Sequence, residues 1–199
     1  MRDKNPIGEI HVGGQPGWSF DLLATPIFWT SKAKELHRMV CLGFSVWQED
    51  TEAIRKWVSN HVADQYEHKP PTLTVAFFLA ALAIENLLKG NLIMTRPECV
   101  SSGRLRGAII TSHDLLAIAR ETGISFSTDE EDFFELGTHA IIWFGRYHLA
   151  KSVSETASKI VVKDKAFSVY EPLYMKLLER IDSLGRTDHV AKESESNRN

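Results

Sequence analysis

Cysteine is scarce in this chain: Cys41 and Cys99 are the only two among 199 residues, and they stand far apart without a partner pattern. A disulfide framework or a cysteine-rich zinc centre needs more thiols, so neither is expected, and a reducing cytoplasm is the natural compartment. Cys41 falls in an apolar helical stretch, where a small buried thiol is the expected state. An apolar h-region is also missing near the N-terminus. Met1 to Gly17 carries charges, glycine and proline, so no signal peptide is expected and residues 1–17 read as irregular. No charge of one sign dominates: 23 basic against 26 acidic residues give a formal net charge of −3 and a pI near 6.2. Nucleic acid would therefore have to meet a local patch rather than a general basic field. The richest hydrophobic run, Leu73 to Leu88, is interrupted by Thr74, Glu85 and Asn86. Its unbroken apolar part is only about a dozen residues, too short to span a bilayer, so it reads as a buried core helix and no membrane partner is expected.

What is present is an ordinary globular composition, 43% apolar and 25% charged, enough for one domain with a core of its own. Helical periodicity dominates. Trp29, Ala33, Leu36, Val40, Gly43 and Trp47 share one stripe of a helix over 28–47. A second, shorter helix is expected over 51–66, ahead of Pro70-Pro71. A third, over 72–92, is apolar almost all round, as the centre of a bundle would be. Met94 to Gly107 reads as a loop. A fourth helix opens near Ser112, with Ser112 as N-cap, Asp114 at the positive end and Gly123 as the stop. A fifth follows the capping box Ser127-Thr128-Asp129-Glu130 and runs to Gly145. The last begins at Glu171, with Pro172 in its first turn, and closes at Gly185. Residues 186–199 read as a polar, disordered tail. No strand series and no internal repeat stand out. The expected fold is an all-α bundle of five to six helices over residues 18–185.

Standard catalytic signatures are missing: there is no P-loop, dinucleotide fingerprint, HExxH or CxxC. The acidic run Asp129 to Asp132 is better explained by helix capping than by a metal. The eight histidines are scattered, and no i,i+4 ligand pair stands out among them, so neither a metal nor any other cofactor is expected. A metal-dependent bundle enzyme would need Glu-x-x-His pairs on facing helices, and the sequence supplies none.

Three short segments remain. They are Ala83-Ile84-Glu85-Asn86-Leu87-Leu88-Lys89, His113-Asp114-Leu115-Leu116 and Gly145-Arg146-Tyr147-His148. Each has a plain structural reading. Glu85 and Lys89 can pair at the surface for a few tenths of a kcal/mol. His113 and Asp114 can cap a helix, and Arg146 can complement a helix C-terminus. In this order and spacing, however, the segments resemble those of the HEPN superfamily, the higher eukaryote and prokaryote nucleotide-binding domain. Ala83, Glu85, Leu88 and Lys89 match its A-x-E-x-x-L-K helix, His113 and Leu115 its H-x-L helix start, and Arg146 and Tyr147 its R-Y-P segment. His148 stands where proline is common. The likeness runs from Val75 to Lys151.

The resemblance implies a helical bundle, often a homodimer, that binds nucleotides or RNA. It implies for some members a metal-independent ribonuclease of a defence or toxin–antitoxin system. Arginine there steadies phosphate and histidine moves protons, within an R-x(4–6)-H motif shared between protomers. Arg55-x5-His61 and Arg106-x6-His113 have permitted spacings. With eleven arginines and eight histidines, roughly 1.3 such matches arise by chance, so these two decide nothing. Carried onto this chain, the resemblance makes Arg146 and His148 the candidate catalytic pair. Arg146, His148 and Lys151 would contact phosphate, and Tyr147 would be available for stacking. Glu85, Lys89, His113 and Asp114 would form the neighbouring polar cluster. The competing expectation is a non-catalytic interaction module acting through oligomerisation, with some of the five tryptophans and ten phenylalanines at an interface rather than in the core.

Overall fold

A computed structural model of the chain describes residues 24–60, 72–101, 104–143 and 165–196. The described residues form five helices: α1 (Pro26–Asn60), α2 (Thr72–Thr95), α3 (Leu115–Glu121), α4 (Thr128–Trp143) and α5 (Lys165–Ser196). Between α2 and α3 lie a 3-10 turn (Pro97–Cys99) and two short strands, β1 (Val100–Ser101) and β2 (Arg104–Leu105). The all-α bundle expected from periodicity is what forms.

Helix α2 is the axis. Each of the other four described helices packs on it, and Phe77, Ala80, Ala81, Ala83, Ile84, Leu87 and Leu88 are all 0% exposed. By length and composition α2 could cross a membrane, which corrects the expectation of a run too short to do so. In the fold its apolar surface is spent on α1, α3, α4 and α5 instead. Small residues set the approach distances. A Cβ on Gly137 of α4 would stand 2.8 Å from the Leu115 side chain and 3.2 Å from Ala81 Cβ. Glycine inside a helix costs about 1 kcal/mol relative to alanine, and here it allows α4 to lie against α2 and α3. Among the described aromatic residues, Phe77, Phe133, Phe134 and Phe167 are buried in the core, with Tyr170 and Tyr174. Phe77 meets Phe133 edge-on at 5.2 Å, and Phe126 meets Phe134 at 4.9 Å.

Several boundaries differ from those expected. The helices predicted over 28–47 and 51–66 are one continuous α1 as far as Asn60. The polar residues Gln48, Glu49 and Asp50 between them include no glycine or proline, and polarity alone does not stop a helix. Pro26, the first residue of α1, suits that position because its missing N–H would be unbonded there anyway. The loop predicted over 94–107 contains the 3-10 turn and an antiparallel pair, Val100 opposite Leu105. This pair covers a small apolar cluster of Leu92, Ile93 and Ile110 at the end of α2.

Helix α3 is capped by Asp114, not Ser112. The Asp114 carboxylate accepts from the Ala117 N–H at 2.9 Å, and Ser112 Oγ accepts one step earlier, from the Asp114 N–H. Gly123, at φ +70°, lies just past the end of α3, as expected of a stop. The capping box of α4 forms as predicted, with Ser127 N–H donating to Glu130 Oε2 at 2.7 Å. Burial would raise the Glu130 carboxyl, yet hydrogen bonds from Ser127 and Lys176 hold it below its ordinary value.

Helix α5 begins at Lys165, six residues before the predicted start, and Pro172 lies inside it. The extra turns bury Phe167 and Tyr170, and Phe167 stacks on Phe44 of α1 at 4.5 Å. That contact outweighs the one backbone bond Pro172 cannot make, on an exposed face where water reaches the freed carbonyl. The helix also runs through Gly185 to Ser196, so 186–196 is helical backbone rather than a disordered tail. The N-terminal segment 1–17 lies outside the described residues.

Candidate functional site

The first two of the three singled-out segments meet. Glu85 and Lys89 occupy one face of α2, one turn apart, while His113 is held by the turn that leads into Asp114 and α3. Glu85 Oε1 accepts from Lys89 Nζ at 2.5 Å and contacts His113 Nδ1 at 3.1 Å. An ionised carboxylate only accepts, so Nδ1 carries the proton in that contact. The cluster is graded in depth. The Glu85 and Lys89 side chains are 7% and 6% exposed, and His113 is 40% exposed. The surface pair expected of Glu85 and Lys89 is therefore a buried one. Lys89 Nζ also lies 5.8 Å from the centre of the Trp29 ring, a placement that favours a cation partly removed from water.

Glu85 Oε2 is buried and has no hydrogen-bond partner among the described residues. Leaving a buried acceptor unmade costs about 1–3 kcal/mol. Asp114, by contrast, faces solvent with its carboxylate engaged as the α3 cap, and its role there is local. The first backbone donor of α3, the Leu115 N–H, is taken by Thr138 Oγ1 of α4 at 2.9 Å. That bond ties the His113 turn to the rest of the bundle. Arg146, Tyr147, His148 and Lys151 lie outside the described residues, as do the R-x5-H member His61 and the predicted end of the fifth helix at Gly145.

A second polar group escaped the sequence reading. His37 and Cys41 are four residues apart on α1, and Cys41 Sγ stands 3.6 Å from His37 Nε2. The signal was available as H-x-x-x-C, an i,i+4 pair of metal-ligand types that a search among histidines alone passes over. Cys41 is exposed rather than buried, because it lies off the stripe that α1 turns toward α2. His37 Nδ1 is 3.0 Å from the Tyr170 hydroxyl of α5, and its ring stacks on Tyr174 at 4.1 Å. The pair borders a cleft of ≈ 60 Å³ that Glu171 and Phe167 also line. Burial pushes the Cys41 thiol above its ordinary value, and the Glu171 carboxylate adds to the shift. Burial also lowers the His37 imidazole, with Glu171 opposing. The Tyr170 phenol is pushed far up by burial and stays protonated. Among the described residues, no three histidine, cysteine or acidic side chains stand together as a ready metal cage. Comparison of the chain with protein-family models, with curated proteins and with solved structures gave no match.

Proposed function

We propose that this chain is a HEPN-like protein that binds RNA or nucleotides, acting as an atypical metal-independent ribonuclease or as a binding relative of one. The observation that carries the reading is the buried Glu85 carboxylate. It grips Lys89 within its own helix and the half-exposed His113 across to the next element, and these residues carry two of the three resemblance motifs. Apolar residues would stabilise the same position at least as well as a buried ion pair, which favours a role in positioning. In this reading Glu85 fixes the orientation of His113, while Arg146, His148 and Lys151 contact phosphate and Tyr147 stacks on a base. The test is binding and cleavage of total RNA by the purified chain, comparing wild type with Arg146→Ala and His148→Ala. Removing Arg146 should weaken RNA binding about 10- to 100-fold, the value of one or two charge-assisted phosphate contacts, with the far-UV CD unchanged. Unaltered affinity in a folded Arg146→Ala chain overturns the reading.

A second reading, a non-catalytic module working through oligomerisation, has its own support. Met39, Leu42 and Val46 recur at i, i+3 and i+7 on α1 and are 53%, 61% and 45% exposed. Basic residues (Lys32, Lys34, Arg38) outnumber Glu35 ahead of this stripe, and acidic ones (Glu49, Asp50, Glu52) follow it before Arg55 and Lys56. An antiparallel pairing of two α1 helices would then set opposite charges against each other. Leu42→Glu is expected to convert a dimer to a monomer in size-exclusion chromatography with light scattering. A wild-type chain that is monomeric at all concentrations removes this reading, along with any composite site between protomers.

A further inference from the structure

We infer that the antiparallel pair β1–β2 carries a clamp for the phosphate backbone of single-stranded RNA, made by Arg104 and Arg106. This clamp rests on the RNA-binding reading above and lies outside all three motif segments.

Strand pleating sorts the side chains. Val100 pairs with Leu105 and Ser101 with Arg104, and successive residues of a strand point to opposite faces. Val100 and Leu105 pack against the apolar cluster of Leu92, Ile93 and Ile110, which sends Arg104 and Arg106 to the other face. Both arginines are exposed, and neither forms an ion pair or a side-chain hydrogen bond among the described residues. The Arg106 N–H donates to the Cys99 carbonyl at 2.7 Å, so the same register continues past Leu105 and fixes the backbone there. Two strand positions apart, the Cα atoms of the arginines lie about 6.6 Å from each other, close to the separation of successive phosphates on one strand.

Charge selects the partner. The whole chain is net −3, yet no Asp or Glu occurs from Val100 to His113. Just ahead of the pair, Arg96 is occupied by Glu121 at 2.6 Å, and Glu98 is the one carboxylate of the 3-10 turn. A guanidinium without a carboxylate partner presents a planar fork of donors that fits two oxygens of a phosphate. Membrane surfaces are met by larger groups, about four to eight basic residues together, whereas two arginines at strand spacing suit a narrow polyanion. The stretch also leads into the candidate site. Ile110, 1% exposed, pins the turn. Thr111 Oγ1 donates back to the Gly107 and Ala108 carbonyls, and the Ser112 N–H donates to the Ile109 carbonyl. Six residues folded in this way separate Arg106 from His113, so a strand gripped by the two arginines is led toward the contact of His113 with Glu85.

The experiment titrates the full chain into a fluorescein-labelled oligouridylate at a series of KCl concentrations, followed by fluorescence anisotropy. Near 0.1 M salt, Arg104→Ala and Arg106→Ala should each weaken binding about fivefold, and the double variant about 25-fold. The slope of log K against log salt should shrink by about 1.4 in the double variant, since one single-strand phosphate contact contributes about 0.7. Lysine at both positions should keep the slope and lose part of the affinity, because it retains the charge without the fork. Arg180→Ala removes one exposed charge from α5 and should stay within about twofold. Far-UV CD confirms that each variant is folded. A wild type that binds RNA, with a double variant of equal affinity and slope, overturns the clamp and leaves the functional reading standing. An equal loss in Arg180→Ala overturns it as a general charge effect. A wild type that binds no RNA, or binds phosphatidylglycerol vesicles in its place, overturns both the clamp and the reading beneath it.

Discussion

Glu85→Ala is expected to destabilise the chain by about 3–5 kcal/mol, because it leaves the Lys89 ammonium buried without its counter-ion. The reasoning is one of desolvation. Lys89 is 6% exposed at its side chain, and its ammonium is held by Glu85 Oε1 at 2.5 Å. Water cannot replace the carboxylate without opening the packing of α2. Against a total stability of roughly 5–15 kcal/mol for a domain of this kind, the loss is large. It would be read as a fall in the urea midpoint followed by far-UV CD. The double substitution Glu85→Leu with Lys89→Met should recover most of it, since a buried pair replaced by apolar residues of similar volume is often neutral or better. A Glu85→Ala change that costs under about 1 kcal/mol would mean the pair is solvated after all. The contrast also bears on function. If the double variant folds yet no longer supports RNA binding, the pair is there for the site and not for the fold.

Phe77→Ala is expected to cost about 3–5 kcal/mol, as a large aromatic removed from a closed core leaves a cavity that its neighbours fill only in part. Phe77 is 0% exposed and touches rings from two other helices, Phe133 of α4 and Phe167 of α5. Its loss therefore loosens a three-way junction rather than a single contact. Val75, two residues earlier on the same helix, is 59% exposed, and Val75→Ala should stay within about 0.5 kcal/mol. Urea unfolding of the two variants side by side tests whether α2 is the axis. Equal, small effects would refute the placement of Phe77.

The residues that proved easy to read locally are those whose signal is chemical and short-range. Ser127 and Glu130 announce a capping box, and they form one. Gly123 announces a stop and takes up a left-handed conformation just past the end of α3. The apolar surround of α2 announces a buried helix. Boundaries set by competition were not legible. The polar residues 48–50 suggested a gap that α1 bridges, and Pro172 suggested a start that Phe167 and Tyr170 override by packing against α1. Neither outcome is encoded within a few residues, since each depends on a surface supplied by another helix.

The candidate sites divide the same way. The spacing of Glu85 and Lys89 fixes their contact from sequence, because helical geometry alone brings residues four apart together. Their burial, the arrival of His113 at Glu85, and the Tyr170 hydroxyl beside His37 follow only from how the helices pack. Twenty-eight residues separate Glu85 from His113 and 133 separate His37 from Tyr170. Over such separations no local propensity carries information, and the meeting is decided by which apolar faces close on α2.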